Sequence, residues 1–357
     1  MNLNKLTALL LELLLLLTAC TTQPTEQAEP TAPATEATVA ESTETEAPTE
    51  PAQLDFFDAV FDTSQDAGKL TARYLSLSTT EGVGNEAITT GDCAVYTSPE
   101  GLVMLVDASN PPCADEILMQ LEAMGIEKID IFVLSHPHAD HVGSFCAIAD
   151  VYPIGQVYTN GHAYDTVTWQ RCVTKMKELD IPCQALAAGD SFMFGEEVTV
   201  TIYGPEPGAI DEVAAGYQDA NDGSVAMRIV YGESSFWSSG DLYVSGEENL
   251  VALHGEEIRS DVVKMNHHGK DTSNGRSFVQ AVDAIIAVGM FDSVGSVTVA
   301  RRYMAAGAQV FYNDPDGAIR ISTTGDGTYD VQTQLLRQLT ILPEPTEDGH
   351  YVISRVE

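Results

Sequence analysis

Apolar and polar positions alternate along this chain with two different periods, and the changes of period divide it into short strands and helices. A period of two predicts a half-buried strand, whereas apolar positions three and four residues apart predict a helix. By this rule we expect strands at 70–78, 93–97, 103–107, 129–134, 157–159, 197–203, 225–231, 235–238, 261–265, 284–288, 309–312 and 317–322, and helices at 114–124, 145–151, 168–179, 277–282 and 299–306. In each half of the chain, strands come first as hairpins and later alternate with helices. Ser98-Pro99-Glu100-Gly101 is expected to form one of the hairpin turns. Two mixed β-sheets packed face to face, with helices outside, would satisfy that order, so the pattern predicts an α/β fold.

The first residues of the chain have the pattern of a processing signal. Lys5 is followed by an apolar run and then by Leu17-Thr18-Ala19-Cys20, which resembles a bacterial lipobox. This predicts a signal peptide over 1–19, cleaved before Cys20, whose thiol is then acylated. The run is shorter than the roughly 20 apolar residues of a membrane-spanning helix, and it carries Glu12. An ordinary signal peptide followed by a chance cysteine is the alternative.

The next segment is polar and of low complexity. Residues 21–52 are almost wholly Thr, Pro, Glu, Ala, Ser and Gln, which offer too little apolar surface to offset the entropy of ordering. We therefore expect an acidic disordered tether over 20–68, a folded domain over 69–332 and a short C-terminal tail over 333–357. With lipid on Cys20, the domain is expected outside the cytoplasm, anchored to the bacterial cell membrane.

The net charge and the cysteine content disfavour several classes of function and of site. The formal net charge is −36, from 17 basic and 53 acidic residues. Such a surface repels phosphate backbones at long range, so a general nucleic-acid-binding role is disfavoured. Apart from Cys20 the cysteines are odd in number and lack CxxC spacing, so neither a disulfide framework nor a cysteine zinc site is indicated. Buried free thiols are favoured over a Cys172–Cys183 bridge.

The decisive chemistry lies directly after the apolar run 129–134, in the stretch Ser135-His136-Pro137-His138-Ala139-Asp140-His141. It holds three of the eight histidines of the chain and one aspartate. Neutral imidazoles and a carboxylate are good zinc ligands, and an irregular loop can turn His136 and His138 one way and Asp140 and His141 another. Two adjacent pairs of ligands indicate two metal ions. A histidine-rich surface loop without a catalytic role is the alternative.

This HxHxDH cluster resembles the signature of the metallo-β-lactamase superfamily. The flanking residues are most similar to the hydrolase domain of the DNA-uptake competence proteins and to their stand-alone relatives. Gly91-Asp92-Cys93-Ala94, for example, is similar to a Gly-Asp-Ala segment of that family. The resemblance covers nearly the whole folded part, and it implies a four-layer αββα sandwich of two mixed sheets.

Three further motifs carry site residues by this resemblance. Asp107, at the end of Leu105-Val106-Asp107, is expected to support the metal loop from behind the ligands. Asp241, at the end of Ser239-Gly240-Asp241, is expected to bridge both metals. In Lys264-Met265-Asn266-His267-His268-Gly269, we expect His268 to bind the second metal and His267 to contact the substrate or protonate a leaving group. Asp140 and His267 are therefore taken as the catalytic residues.

The sequence departs from the superfamily pattern at the third ligand of the first metal. The candidates are His162 and the segment Asn221-Asp222-Gly223-Ser224, which resembles the competence-type pattern Asn-Asp-x-Ser. Either Asn221 or Asp222 could be this remaining ligand, and we take Asp222 as the ligand with Asn221 beside it. His162 is taken as a loop residue. Lys270 stands where a serine commonly follows His-His-Gly, and the family's later His-Pro is missing from 289–297.

The resemblance implies a metal-dependent hydrolase. Two divalent ions can lower the pKa of a bridging water and supply hydroxide near neutral pH. Zinc is expected, and manganese would also fit because no cysteine is among the ligands. A roughly neutral to cationic site in an acidic protein favours a small or terminal phosphoester, so phosphodiester hydrolysis is the first hypothesis. The alternatives are a competence-type nuclease, a lactonase or β-lactamase-like hydrolase, and a non-catalytic surface-binding protein that retains the fold.

Overall fold

The computed structural model describes residues 59–78, 90–209, 217–291, 295–335 and 351–355. The predicted signal peptide, Cys20 and most of the predicted tether lie outside these residues. In the described residues no helix is both long enough and apolar enough to cross a membrane.

The described residues form sixteen strands. They are β1 (Leu70–Tyr74), β2 (Ala94–Thr97), β3 (Val103–Val106), β4 (Ile129–Leu134), β5 (Ile154–Thr159), β6 (Cys183–Ala185), β7 (Ser191–Phe194), β8 (Val198–Gly204), β9 (Ala226–Tyr231), β10 (Ser234–Ser238), β11 (Val262–Lys264), β12 (Ile286–Gly289), β13 (Gln309–Tyr312), β14 (Ile319–Thr323), β15 (Thr328–Thr333) and β16 (Tyr351–Ser354). The helices are α1 (Ala114–Ala123), α2 (Ala139–Val142), α3 (Phe145–Val151), α4 (Val167–Glu178), α5 (Tyr217–Asp222), α6 (Val244–His254), α7 (Arg276–Val282), α8 (Val297–Ala305) and α9 (Asn313–Asp316). Each strand and helix expected from the periodicity is present, with bounds that differ by a few residues.

The strands form two mixed sheets. The first has the order β16-β15-β14-β1-β2-β3-β4-β5-β6, and the second has the order β13-β12-β11-β10-β9-β8-β7. Some antiparallel pairs are hairpins, such as β2 and β3, between which Gly101 takes φ +92° in the turn. Crossovers make β3 to β6 parallel in the first sheet and β10 to β13 parallel in the second.

Three apolar cores separate four layers. One core lies between the first sheet and α1, α3 and α4, with Phe132 and Phe145 in contact across it. The second lies between the two sheets, where Tyr96 packs against Phe236. The third lies between the second sheet and α6, α7 and α8. This arrangement confirms the expected αββα sandwich, because each sheet buries both faces and each helix buries one.

The folded unit extends past both predicted boundaries of the domain, which were residues 69 and 332. On the N-terminal side Val60 and Phe61 are buried, and the buried Arg73 guanidinium binds Asp66 Oδ2 at 2.6 Å and the Val60 carbonyl at 2.7 Å. On the C-terminal side β16 pairs with β15 at the edge of the first sheet. Both segments adjoin polar stretches of low complexity, and their contacts with the domain are made by residues outside the local pattern.

Candidate metal centre

The predicted site residues lie at the carboxyl ends of strands from both sheets. The loop after β4 carries the histidine cluster, and Asp107 follows β3 in the same sheet. Asp241 follows β10, and His267 and His268 follow β11 of the second sheet. Because the parallel strands of the two sheets end at a common edge, residues that are far apart in the chain converge there.

Asp241 lies at the centre of this group. Its Oδ1 is 3.2 Å from His141 Nε2, and its Oδ2 is 3.3 Å from His268 Nε2. His268 Nε2 also lies 3.3 Å from Asp140 Oδ2. The structure therefore brings together two imidazoles and two carboxylates that the sequence separates widely, with Asp241 between the other three residues.

His136 and His138 form the second part of the group. His136 Nε2 lies 3.0 Å from His138 Nδ1, and the His136 ring is 4.1 Å from the ring of His141, centroid to centroid. Burial lowers the pKa of His136 well below its usual value and that of His138 to about 4. Asn221 is hydrogen-bonded to the His138 side chain and opposes that shift. Both rings are therefore neutral at physiological pH, which is the form that binds a metal ion.

Aspartates behind the ligands hold two of the rings in place. Asp107 Oδ2 lies 2.9 Å from His141 Nδ1, and the same carboxylate accepts hydrogen bonds from the Ser135 amide and hydroxyl at 2.7 and 2.8 Å. Asp92 Oδ1 lies 2.9 Å from His268 Nδ1. With Nδ1 bound on one side, each ring turns its Nε2 towards Asp241, as metal-binding histidines commonly do.

Asp92 and Lys264 also belong to this group, although the motifs that contain them gave neither residue a role. Asp92 offers an oxygen within 4.8 Å of ligand atoms of His141, Asp241 and His268, so it could be counted as a ligand. However, its two oxygens contact His268 Nδ1 and the Lys264 ammonium, so we assign it to the support of His268. The available signal was the position of both residues inside motifs already identified.

Two glycines allow the loops to approach each other. A Cβ atom on Gly91 would collide with the backbone carbonyl of Asp140. Gly240 has φ +50°, and a Cβ there would lie 2.7 Å from Ser135 Oγ. The Gly-Asp pairs of the sequence are thus needed where the backbone passes close to the metal loop.

The electrostatics of the group favour a cation. Asp92, Asp107 and Asp241 are buried and Asp140 is mostly buried, whereas Lys264 is the buried ammonium among them. Burial alone would lower the pKa of His268, but Asp241 and Asp92 outweigh it and raise that pKa to about 10. Asp241 also contributes to raising the pKa of His141 well above its usual value, again against burial.

These observations also test whether divalent metal ions fit the site. His141 Nε2 and Asp241 Oδ1 are buried, and neither makes a hydrogen bond within the described part of the chain. The donor atoms are imidazole nitrogens and carboxylate oxygens, a set that suits zinc and manganese. The residues therefore fit a divalent metal, which would replace the protons that His141 and His268 otherwise hold.

His267 lies at the more open side of the group, beside Asp241. Its side chain is 13% exposed, and its Nε2 is 3.6 Å from Asp241 Oδ2 and 3.5 Å from the Lys270 ammonium. Its Nδ1 lies 2.6 Å from Thr272 Oγ1. Burial lowers the pKa of His267 to about 4, and Lys270 adds to that effect. A ring in this place is suited to contact a substrate.

The structure corrects the assignment of Asp222 as a metal ligand. Its Oδ1 accepts a hydrogen bond from the Tyr243 amide at 3.1 Å, and its Oδ2 accepts one from Ser245 Oγ at 2.8 Å. Both oxygens therefore serve the first turn of α6, where a carboxylate is stabilising. Asn221, one position earlier in α5, is the residue of this segment that contacts the histidine pair. His162 is buried against Tyr164, whose ring also contacts His138.

The five cysteines of the described residues are free thiols. Cys93, Cys113 and Cys172 are buried, as expected, whereas Cys146 is partly exposed and Cys183 is exposed.

Comparison with known proteins gives a consistent result. Residues 89–283 match the family model of the metallo-beta-lactamase superfamily. Competence protein ComA of Neisseria gonorrhoeae is 28% identical over 268 residues, which cover 71% of this chain and 34% of that protein. ComE operon protein 3 of Bacillus subtilis is 23% identical over 172 residues, which cover 47% of this chain and 21% of that protein.

This chain therefore spans about a third or less of the length of these curated relatives. Among solved structures, Igni18, a metallo hydrolase of Ignicoccus hospitalis, superposes with a TM-score of 0.43 at 11% identity. The superposition covers 70% of this chain and 98% of that one.

Proposed function

Because this chain belongs to the metallo-β-lactamase superfamily of metal-dependent hydrolases, we propose that it is a binuclear hydrolase of small or terminal phosphoesters that acts outside the cytoplasm. The observation that carries the proposal is the convergence of four residues: Asp241 lies 3.2 Å from His141 and 3.3 Å from His268, and His268 lies 3.3 Å from Asp140. The His136 ring lies beside that of His141, and His138 contacts His136.

The residues divide into two sets of metal ligands that share Asp241. His136 and His138 would hold one divalent ion, and Asp140, His141 and His268 would hold the other. When bound, zinc or manganese ions would supply Lewis acidity and an activated water nucleophile near neutral pH. Asp107 and Asp92 would hold the ligand rings in the required tautomer, because each carboxylate accepts the Nδ1 proton of its histidine.

A phosphoester is favoured by the side chains at the open side of the site. Lys270 makes no ion pair among the residues that the structure describes, and its ammonium lies 4.8 Å from the centre of the Phe291 ring. With His267 Nε2 beside it, Lys270 could bind a non-bridging phosphate oxygen as a charge-assisted hydrogen-bond donor. The acidic remainder of the chain opposes a long polyanion, which favours a small or terminal ester.

The test of the function is metal analysis together with hydrolysis by the purified protein. We expect about two equivalents of bound metal and turnover of bis-p-nitrophenyl phosphate, with loss of both in Asp140→Asn. Asp222→Asn is the matched control, because Asp222 faces α6, and it should retain metal and activity. A wild-type protein that binds metal but hydrolyses only a lactone or nitrocefin would overturn the phosphoester assignment.

A nuclease is the second candidate, and it is favoured by the similarity to two competence proteins. Single-stranded DNA with a labelled end, included in the same assay, separates the two functions. Release of single nucleotides or larger fragments at rates above that of the small diester would favour the nuclease.

The proposed location rests on Cys20 and the sequence before it. Expression in a bacterial host should give a membrane-bound protein that Cys20→Ala releases into the soluble extracytoplasmic fraction. Equal membrane binding by both forms would contradict lipid anchoring at this residue.

A further inference from the structure

Two cysteines from different helices lie side by side behind the metal loop. Cys146 is on α3 and packs at the edge of the core that contains Cys172 of α4, and the Cys172 side chain lies close enough to influence the pKa of the Cys146 thiol. Cys183, which the sequence suggested as an alternative partner of Cys172, is instead exposed on β6. The fold therefore pairs Cys172 with a cysteine that is distant in the sequence.

Contacts on either side of the pair define the register of the two helices. One turn before Cys146, the carbonyl of Val142 accepts a hydrogen bond from Cys172 Sγ at 3.4 Å. One turn after it, Asp150 Oδ1 binds Lys175 Nζ at 2.8 Å. Cys146 and Asp150 are four residues apart on α3 and therefore share the face of that helix that is turned towards α4. The ion pair one turn beyond the two cysteines and the Cys172 contact with Val142 thus hold the two helix faces that carry the thiols against each other.

The two thiols differ in accessibility and in reactivity. Cys172 is 1% exposed and packs in the core under the first sheet, whereas Cys146 is partly exposed at the edge of that core. The neighbouring Cys172 side chain lowers the pKa of the Cys146 thiol to about 7, with help from the cations Lys175 and Arg171. Cys146 can therefore be attacked or can attack from solvent as a thiolate, with Cys172 behind it.

We propose that Cys146 and Cys172 are a redox-active pair that is oxidised to a disulfide linking α3 to α4. The oxidant is a small-molecule disulfide. The Cys146 thiolate attacks one sulfur of that molecule, forms a mixed disulfide and expels a thiolate. Cys172, after losing its proton, then attacks the Cys146 sulfur and expels the second thiolate. Two cysteine thiols are oxidised while one disulfide is reduced to two thiols, so electrons and protons balance.

The bond would brace the metal loop from behind. Val142, which accepts the hydrogen bond from Cys172, directly follows His141, and both belong to α2. A covalent link between α3 and α4 would restrain the short connection from α2 to α3. It would also close a loop of the unfolded chain, and this loop closure stabilises the folded state.

The experiment is a thiol map of the purified full chain after exposure to oxidised or reduced glutathione. Free thiols are alkylated, and peptides are identified by mass spectrometry. We expect a Cys146–Cys172 cross-link in the oxidised sample, and a melting temperature roughly 5–10 °C above that of the reduced sample. Cys146→Ser should abolish the cross-link and the temperature difference, and its partly exposed position favours correct folding.

Cys183→Ser is the matched control and should leave both the cross-link and the temperature difference unchanged. A cross-link between Cys172 and Cys183 would overturn the proposal. So would complete alkylation of Cys146 and Cys172 after oxidation, or the same melting temperature in both redox states. None of these measurements depends on hydrolysis, so failure here is distinct from failure of the proposed hydrolase activity.

Discussion

Replacement of Asp107 by asparagine tests whether the residues behind the ligands determine metal binding. Asp107 accepts three hydrogen bonds, at 2.7 Å from the Ser135 amide, at 2.8 Å from Ser135 Oγ and at 2.9 Å from His141 Nδ1. Asparagine has the same shape and tolerates the left-handed conformation that Asp107 adopts at φ +63°. The backbone of the loop should therefore keep its path.

The three contacts respond differently to this change. The asparagine oxygen can still accept from the Ser135 amide, and its NH2 group can donate to Ser135 Oγ, which is also an acceptor. Only the contact with His141 Nδ1 becomes one between two donors. His141 must then move its proton to Nε2 or rotate, and either response removes the nitrogen lone pair that faces Asp241.

Loss of such a supporting contact typically weakens metal affinity about 10- to 100-fold, or about 1.4 to 2.7 kcal/mol. We expect this decrease for zinc in Asp107→Asn, measured by competition with a chromophoric chelator. Asp222→Asn is the matched control, because asparagine caps a helix as well as aspartate does, and its affinity should not change. If Asp107→Asn is folded by thermal melting and binds zinc as tightly as the wild type, Asp107 does not set the tautomer of His141.

Three further predictions concern the substrate side, the protein core and proton release. Lys270→Ser should raise the KM for anionic phosphoesters about tenfold with little change in kcat, as expected for one charge-assisted contact. The control Lys177→Ser, on the exposed face of α4, should change neither constant. A fall of about tenfold in the kcat of Lys270→Ser would contradict a role in binding. Asp66→Ala should lower the free energy of unfolding, measured by urea titration, by about 3 kcal/mol, because the buried Arg73 guanidinium loses its partner carboxylate. A decrease below about 0.5 kcal/mol would show that the ion pair is solvated. Metal binding at neutral pH should release protons, because the pKa of His268 is raised to about 10 in the metal-free site. The metal affinity should therefore rise with pH up to about that value. Calorimetry in buffers of different ionisation enthalpy measures this release, and a result of no released protons would refute the prediction.

The chemistry of the site could be predicted from the sequence because its central part is local. His136, His138, Asp140 and His141 follow one strand within a single loop, so their types and spacing alone indicate a metal site. Strands and helices were predictable for a related reason, since burial of one face imposes a period on neighbouring residues. Asp241 and His268 carried weaker local signals, and the resemblance to a known family identified them.

The residues that contact these ligands could be identified only from the tertiary structure. Asn221 and Asp222 are adjacent in sequence, but one residue of a helix turns the side chain by about 100°, so one faces His138 and the other faces α6. Asp92 and Lys264 come from different sheets and meet only because both sheets end at the same edge. No local pattern distinguishes these alternatives.

The ends of the domain, too, could be located only from contacts between residues that are distant in the chain. Val60 and β16 each follow a polar segment of the chain, and their contacts with Arg73 and with β15 form only on folding. Local periodicity thus determined which elements form and which chemistry the loop can support. The packing of the two sheets determined which side chains complete the site, because contacts between distant residues leave no period in the sequence.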